Sequence, residues 1–190
     1  MPVASTNALN TIVYNIAIHN CETSYKKMFS LLFNSLFRFS FSMLNSREAA
    51  EEVASDVMFK LWQKRLELLQ VKNIQVYALV IARNLSLNLL KTRASARVVS
   101  LDEANVESDH QETLNPEQIL INAQNKARLE SCINALPTRC KLVFKLIKEE
   151  GLSYNEVAEV LNISPKTVDA HLVTSMKKLS EALKTKFNRV

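Results

Sequence analysis

The chain is short of residues that interrupt helices: its 190 residues include one glycine and four prolines. With many Leu, Ala, Lys and Glu and no alternating strand pattern, this excludes β-rich and α/β architectures and predicts an all-α protein. The three cysteines, Cys21, Cys132 and Cys140, are odd in number and lack Cys-x-x-Cys spacing. A disulfide framework and a zinc site are therefore not expected, and all three read as reduced, structural thiols of a cytosolic protein. His19, His110 and His171 are scattered, no glycine-rich phosphate loop is present, and the acids form faces rather than a pocket constellation. No catalytic, metal or cofactor residue is assigned, and an enzyme is the least favoured class.

The most apolar run, Met28 to Leu44, contains Arg38, Asn34 and four serines. It falls short of the roughly 20 largely apolar residues that a spanning helix needs. The first twenty residues lack a signal-peptide layout, so no membrane insertion is expected. A buried core helix is predicted instead, with Phe29, Leu32, Phe33, Leu36, Phe39 and Leu44 at helical spacing. The formal charge of +5 and pI near 9.1 suit a polyanionic partner but decide nothing alone. No internal repeat is visible.

What is present is written most densely from Gly151 to Leu172. The only glycine follows a helix ending at Leu146–Glu150, where a left-handed residue is needed. Ser153 and Glu156 form a Ser-x-x-Glu capping box for a helix carrying Val157, Ala158 and Leu161. Asn162 tolerates a left-handed turn, and Ser164 caps a second helix with Pro165 at its first position. This is a helix-turn-helix. Val168, Leu172, Met176 and Leu179 are expected to face inward, while Lys166, Ala170, Val173, Thr174 and Lys177 form a small, basic surface suited to a major groove.

Residues 98–114 read as an acidic linker, since the stretch Leu101 to Glu117 has no lysine or arginine. A flexible, solvated tether is preferred over a nucleic-acid mimic. The linker divides a helical module at 23–97 from a second at 115–190, which opens with Asn115 as a cap and Pro116 in first position. Residues 1–22 are an arm or an extra helix, with Leu9, Ile12, Val13 and Ile16 at helical spacing but no clear cap. In the first module, Ser46 caps a helix whose apolar face uses Ala50, Val53, Val57 and Leu61. Its other face sets Glu48, Glu52 and Asp56 at successive i, i+4 positions with Glu51 beside them, opposing the helix by about 0.2–0.5 kcal/mol per pair. A solubility face and a docking surface for a basic partner are equally compatible with that pattern. Phe59 and Trp62 lie off the main apolar face. After a loop at Leu66–Gln75, a helix from Val76 to Arg93 carries Arg83, Asn84, Asn88, Lys91 and Arg93, cations and amides able to contact phosphates and base edges.

Taken together, these segments resemble the extracytoplasmic-function group of sigma-70 initiation factors. The resemblance implies two helical domains, core RNA polymerase (beta-prime and beta subunits) and promoter DNA as partners, an anti-sigma factor as a further candidate partner, and a cytoplasmic location. On it, Ala50-Glu51-Glu52, Asp56-Val57 and Leu61-Trp62 belong to the segment that docks on polymerase, which draws in Glu48, Ser55 and Phe59. Ile81-Ala82-Arg83-Asn84 resembles the minus-ten helix. Lys72, Asn73 and Gln75 fall where the family's loop captures an unstacked base, and Tyr77 follows them. Leu136-Pro137, Gly151 to Tyr154, Glu156 to Ala158 and Thr167-Val168 match the minus-thirty-five domain, with Ser164, Lys166, Thr167, Ala170, His171, Val173, Thr174 and Lys177 toward DNA. Ser55 stands where the family usually has glutamine and Tyr77 where it usually has tryptophan. Asp169, His171 and Thr174 stand where basic residues are common, so a weaker phosphate contribution and dependence on polymerase tethering are expected.

A regulator of the LuxR or response-regulator type shares the helix-turn-helix style. Its receiver would need strands and glycines that the first half lacks. The remaining rival is a helical adaptor that binds protein through Glu48 to Asp56 and never opens DNA.

Overall fold

The computed structural model describes residues 6–97 and 129–187, and every regular element among them is helical. The acidic linker and the Asn115–Pro116 helix start lie outside the described residues. Helix α1 spans Thr6–His19, α2 Glu22–Leu44, α3 Arg47–Gln63 and α4 Ile74–Arg97, with a 3-10 turn at Glu67–Gln70 before α4. Residues 129–134 are helical (α5), followed by α6 (Thr138–Lys148), α7 (Tyr154–Leu161) and α8 (Pro165–Phe187).

With a single glycine available, asparagine takes over the left-handed positions at helix ends. Asn20, Asn45 and Asn162 have φ of 48°, 51° and 53°, and Gly151 has 71°. Asparagine is among the few side chains that tolerate this region. Asn45 receives the C-terminus of α2, its N–H bonding Phe41 O, and Ser46 at once caps α3 by accepting from Ala49 N. Within the stretch before α2, residues 6–19 are helical: Leu9, Val13 and Ile16 of α1 are buried, and α1 packs on α2.

One contiguous apolar core runs through both halves of the chain. It joins Met28 and Leu36 of α2, Val53, Val57 and Leu61 of α3, and Leu79 of α4 to Val143 and Leu146 of α6, Val157 of α7 and Val168 of α8. A smaller cluster gathers Cys132, Ile133, Leu136, Cys140 and Leu179. No helix among the described residues is long and apolar enough to cross a membrane.

Four departures from the sequence reading concern core packing and helix starts. Phe29 is 38% exposed rather than core, stacked on half-buried Phe33 at 4.6 Å. Met176 is 49% exposed, and the buried stripe of α8 passes instead through Ser175, whose hydroxyl donates to Cys140 O (3.0 Å) and His171 O (2.7 Å). A small hydroxyl that satisfies itself on two carbonyls lets α8 lie close to α6, where a methionine would not fit. Helix α4 begins at Ile74, two residues early, because the Asn73 side chain accepts from Val76 N (3.2 Å).

The fourth departure is Cys21. All three cysteines are free thiols, but only Cys132 and Cys140 are buried. Cys21 sits at the N-cap of α2. Hydroxyl contacts from Ser24 (3.3 Å) and Thr23 (3.1 Å), with backbone N–H groups of the same residues, lower its pKa to about 7. Thiolate is the reactive form. Alkylation of the native protein with iodoacetamide at pH 7 is expected to label Cys21 well ahead of Cys132 and Cys140; peptide mass mapping after a short exposure decides it, and equal labelling of all three would contradict it.

Candidate nucleic-acid and protein interfaces

The helix-turn-helix is built as its sequence dictates. The chain leaves α6 through Glu149 and Glu150, and Leu152 N returns to Leu146 O (3.1 Å) across Gly151. Ser153 and Glu156 close the reciprocal capping box, with Ser153 N donating to Glu156 Oε2 at 2.8 Å. Burial pushes the Glu156 carboxyl up, but the Ser153 N–H, the Ser153 hydroxyl and the Asn73 amide outweigh it and hold the group below the ordinary carboxylate range. Such a depressed pKa stabilises α7 above the usual carboxylate pKa, and the contribution fades as pH falls through the lower folded value. Ser164 then caps α8, accepting from Thr167 N at 3.1 Å.

On α8, Ser164, Lys166, Ala170, Val173, Thr174 and Lys177 are exposed. The outward surface is thus a band of small and apolar side chains edged by two lysines, with Val173 60% exposed. Two of the residues assigned to this face sit differently. Thr167 is half-buried with its hydroxyl on Ser164 Oγ (2.8 Å), and His171 is half-buried with Nδ1 3.7 Å from Cys140 Sγ, turned toward α6.

The acidic face of α3 is open: Glu48, Glu51, Glu52, Ser55, Asp56 and Phe59 are all exposed. Glu51 pairs with Arg47 (3.2 Å) and Glu48 accepts from the Ser46 hydroxyl (3.0 Å). Glu52 and Asp56 have no salt bridge among the described residues. Next to this face Phe59 and half-buried Trp62 meet Tyr25 and Phe29 of α2 in an open groove of about 470 Å³ that also takes in Glu22 and Lys26. Trp62 is fixed edge-on against Tyr25 (5.1 Å between ring centres) and under the Arg65 guanidinium (5.0 Å). Sequence reasoning missed the α2 contribution because Tyr25 and Phe29 meet α3 only through tertiary packing.

The residues expected from the sequence to serve the minus-ten element divide in two. Lys72, Asn84, Asn88, Lys91 and Arg93 are exposed, and half-buried Arg83 donates to Asn84 Oδ1 (3.1 Å). Asn73, Gln75 and Tyr77 are half-buried. Asn73 Nδ2 donates to Glu156 Oε1 at 2.6 Å, and Gln75 Nε2 to Glu150 Oε2 at 3.2 Å. Glu150 also accepts from Ser35 Oγ and Arg38 Nη2, both at 2.6 Å. Ser35, Arg38 and Glu150 carried no signal in the sequence, because partners 112 and 115 residues apart meet only in the fold. Among the described residues no group of three or more His, Cys, Asp or Glu side chains could hold a metal ion.

The first half of the chain thus presents an acidic helix face and a polar helix, and the second a helix-turn-helix. The sigma-70 region 2 profile matches residues 28–96 and the sigma-70 region 4 profile residues 126–179, together well over half the chain. The chain belongs to the sigma-70 family, in its extracytoplasmic-function group. It is 23% identical over 148 residues to the ECF RNA polymerase sigma factor SigE of Mycolicibacterium smegmatis; the match covers 78% of this chain and 57% of that protein's length. Its fold is similar to that of the sigma factor RpoE solved with the anti-sigma factor NepR from Bartonella quintana, with a TM-score of 0.67 at 19% identity, covering 84% of this chain and 96% of that one. CnrH, solved with the cytosolic domain of CnrY, gives a TM-score of 0.62 at 18% identity over 94% and 98% of the two chains.

Proposed function

We propose that the protein is an initiation factor that binds core RNA polymerase, directs it to specific promoters and stabilises the first separated bases of the non-template strand. The observation that carries this reading is the pairing of an exposed, under-neutralised acidic face on α3 with an exposed recognition surface on α8 of the same chain. Neither a stand-alone regulator nor an adaptor needs both. The work is mechanical rather than catalytic: unpairing costs a few kcal/mol per base and is offset by pockets and stacking for the extruded bases.

In this reading residues 23–97 form the polymerase-docking and minus-ten domain, and residues 115–190 the minus-thirty-five domain. Glu48, Glu51, Glu52, Ser55, Asp56, Phe59 and Trp62 face polymerase. Lys72, Asn73, Gln75, Tyr77, Arg83, Asn84, Asn88, Lys91 and Arg93 serve the minus-ten element, and the outward face of α8 the minus-thirty-five element. The protein works in the cytoplasm, and the anti-sigma factor NepR bound to RpoE makes a protein antagonist a natural partner class.

Mixing the purified chain with core polymerase from the same source, then run-off transcription on fragmented genomic template, tests the proposal. Co-elution with discrete start sites supports it; duplex DNA binding without polymerase association would move the reading to a stand-alone regulator. Lys166→Ala with Lys177→Ala is expected to weaken upstream DNA binding and to lower the salt-dependence slope by about 2, roughly one unit per lost phosphate contact. Polymerase co-elution of that variant should be unchanged, and an unaltered slope in a salt titration would remove both lysines from the DNA face.

A further inference from the structure

Between Ser164 and Phe187 the chain has no arginine, asparagine or glutamine, side chains that read guanine or adenine through paired hydrogen bonds. The hydroxyls on the outward side of α8 are already used within the helix. Thr174 Oγ1 donates to Ala170 O at 2.8 Å, and the Ser164 and Thr167 hydroxyls bond one another at 2.8 Å. His171 is turned toward Cys140. Apart from Asp169 and Met176 on one flank, what α8 exposes between Lys166 and Lys177 is a patch of methyl groups. Ala170, Val173 and Thr174 are exposed, and at i, i+3 and i+4 they adjoin on one face. With its oxygen held on the backbone, Thr174 contributes its methyl. We propose that Ala170, Val173 and Thr174 are the specificity-determining residues of α8 and that they read the C5-methyl groups of thymine.

The proposal rests on the reading of α8 as the helix that enters the major groove, and it names what that helix recognises there. In that groove the thymine methyl is the one apolar feature among the four bases; every other feature is a hydrogen-bond donor or acceptor. A polar base edge set against Val173 loses its water and gains no partner, so guanine, cytosine and adenine are each disfavoured at that contact. Asp169 presents only acceptors, which fits a cytosine amino group, so it bounds the patch rather than extending it. Lys166 and Lys177 hold phosphates, which positions the helix without reading sequence. From Ala170 to Thr174 α8 advances about 6 Å, room for about two base-pair steps. The preferred duplex is therefore expected to contain one or two neighbouring A·T pairs whose thymine methyl is required.

The probe is a random-sequence DNA duplex pool, selected by the full chain carried on core polymerase, or by the full chain alone if the two do not associate. In the enriched duplex each thymine is replaced in turn by deoxyuridine, which pairs identically and lacks only the methyl. Affinity should fall about fourfold at one or two neighbouring positions, the loss for one buried carbon. The double variant Val173→Ala, Thr174→Ser trims only exposed side chains, and circular dichroism checks that its helix content is kept. It should bind the thymine and deoxyuridine duplexes equally, with the affinity that wild type has for the deoxyuridine one. Lys166→Ala should weaken both duplexes alike and keep the difference between them. Failure to enrich any duplex, an enriched duplex in which no thymine methyl matters, or a thymine difference that persists in the double variant would overturn the proposal. Co-elution with polymerase is read separately: its absence would remove the initiation-factor reading, and the deoxyuridine series would still decide what α8 reads.

Discussion

Replacing Glu51, Glu52 and Asp56 together with lysine is expected to abolish co-elution with core RNA polymerase, a loss of at least about 100-fold in affinity. Three exposed carboxylates on one helix face become three ammonium groups, and like charges set against a basic partner cost several kcal/mol. The helix itself should survive. The substitutions remove the Arg47–Glu51 pair (3.2 Å), which at i, i+4 contributes only about 0.3–0.5 kcal/mol; Glu48 gains an opposite charge four residues on, while the new lysines and Lys60 become like-charged neighbours at about 0.2–0.5 kcal/mol per pair. Ala50, Val53, Val57 and Leu61, each no more than 1% exposed, hold the opposite face in the core. Size-exclusion chromatography with core polymerase, alongside circular dichroism of the variant, separates lost docking from lost fold. A folded triple variant that still co-elutes would remove α3 from the polymerase interface.

Truncating Leu146 to alanine is expected to destabilise the protein by about 2–5 kcal/mol, the range for emptying a buried leucine site. Leu146 lies on α6, is 1% exposed and belongs to the core that joins the two halves. That loss is a large fraction of the roughly 5–15 kcal/mol by which a domain is stable. Its natural control is Leu66→Ala, at a side chain 62% exposed, which should shift stability by no more than about 0.5 kcal/mol. Urea unfolding followed by circular dichroism measures both, and coincident midpoints for the two variants would contradict the shared core.

The same local rules that made parts of the fold legible explain the misses. The capping box of Ser153 and Glu156, the left-handed Asn162 and the Ser164 cap involve residues at most four apart, and backbone chemistry at that range is legible without the fold. Met176 failed because the choice of buried residue on α8 depends on how closely α6 approaches. There the hydroxyl of Ser175, satisfied on Cys140 O and His171 O, fits where a longer chain does not. Phe29 failed for the converse reason: its helical spacing is correct, but α2 turns that side toward the groove with Phe59 and Trp62. The start of α4 moved because Asn73, read as a loop residue, is its cap.

By itself the sequence determined the all-helical class, the helix-turn-helix and the acidic face of α3, because each depends on periodicity or on partners within one or two helical turns. It also contained the family resemblance, through short motifs in a set order. Only the tertiary structure decided that Phe59 and Trp62 form a groove with α2, that one core runs through both halves, and that Glu150 gathers Ser35, Arg38 and Gln75. Those contacts link residues 75 to 115 positions apart, and a side chain's local neighbours carry no information about which distant donor the packed helices will bring to it.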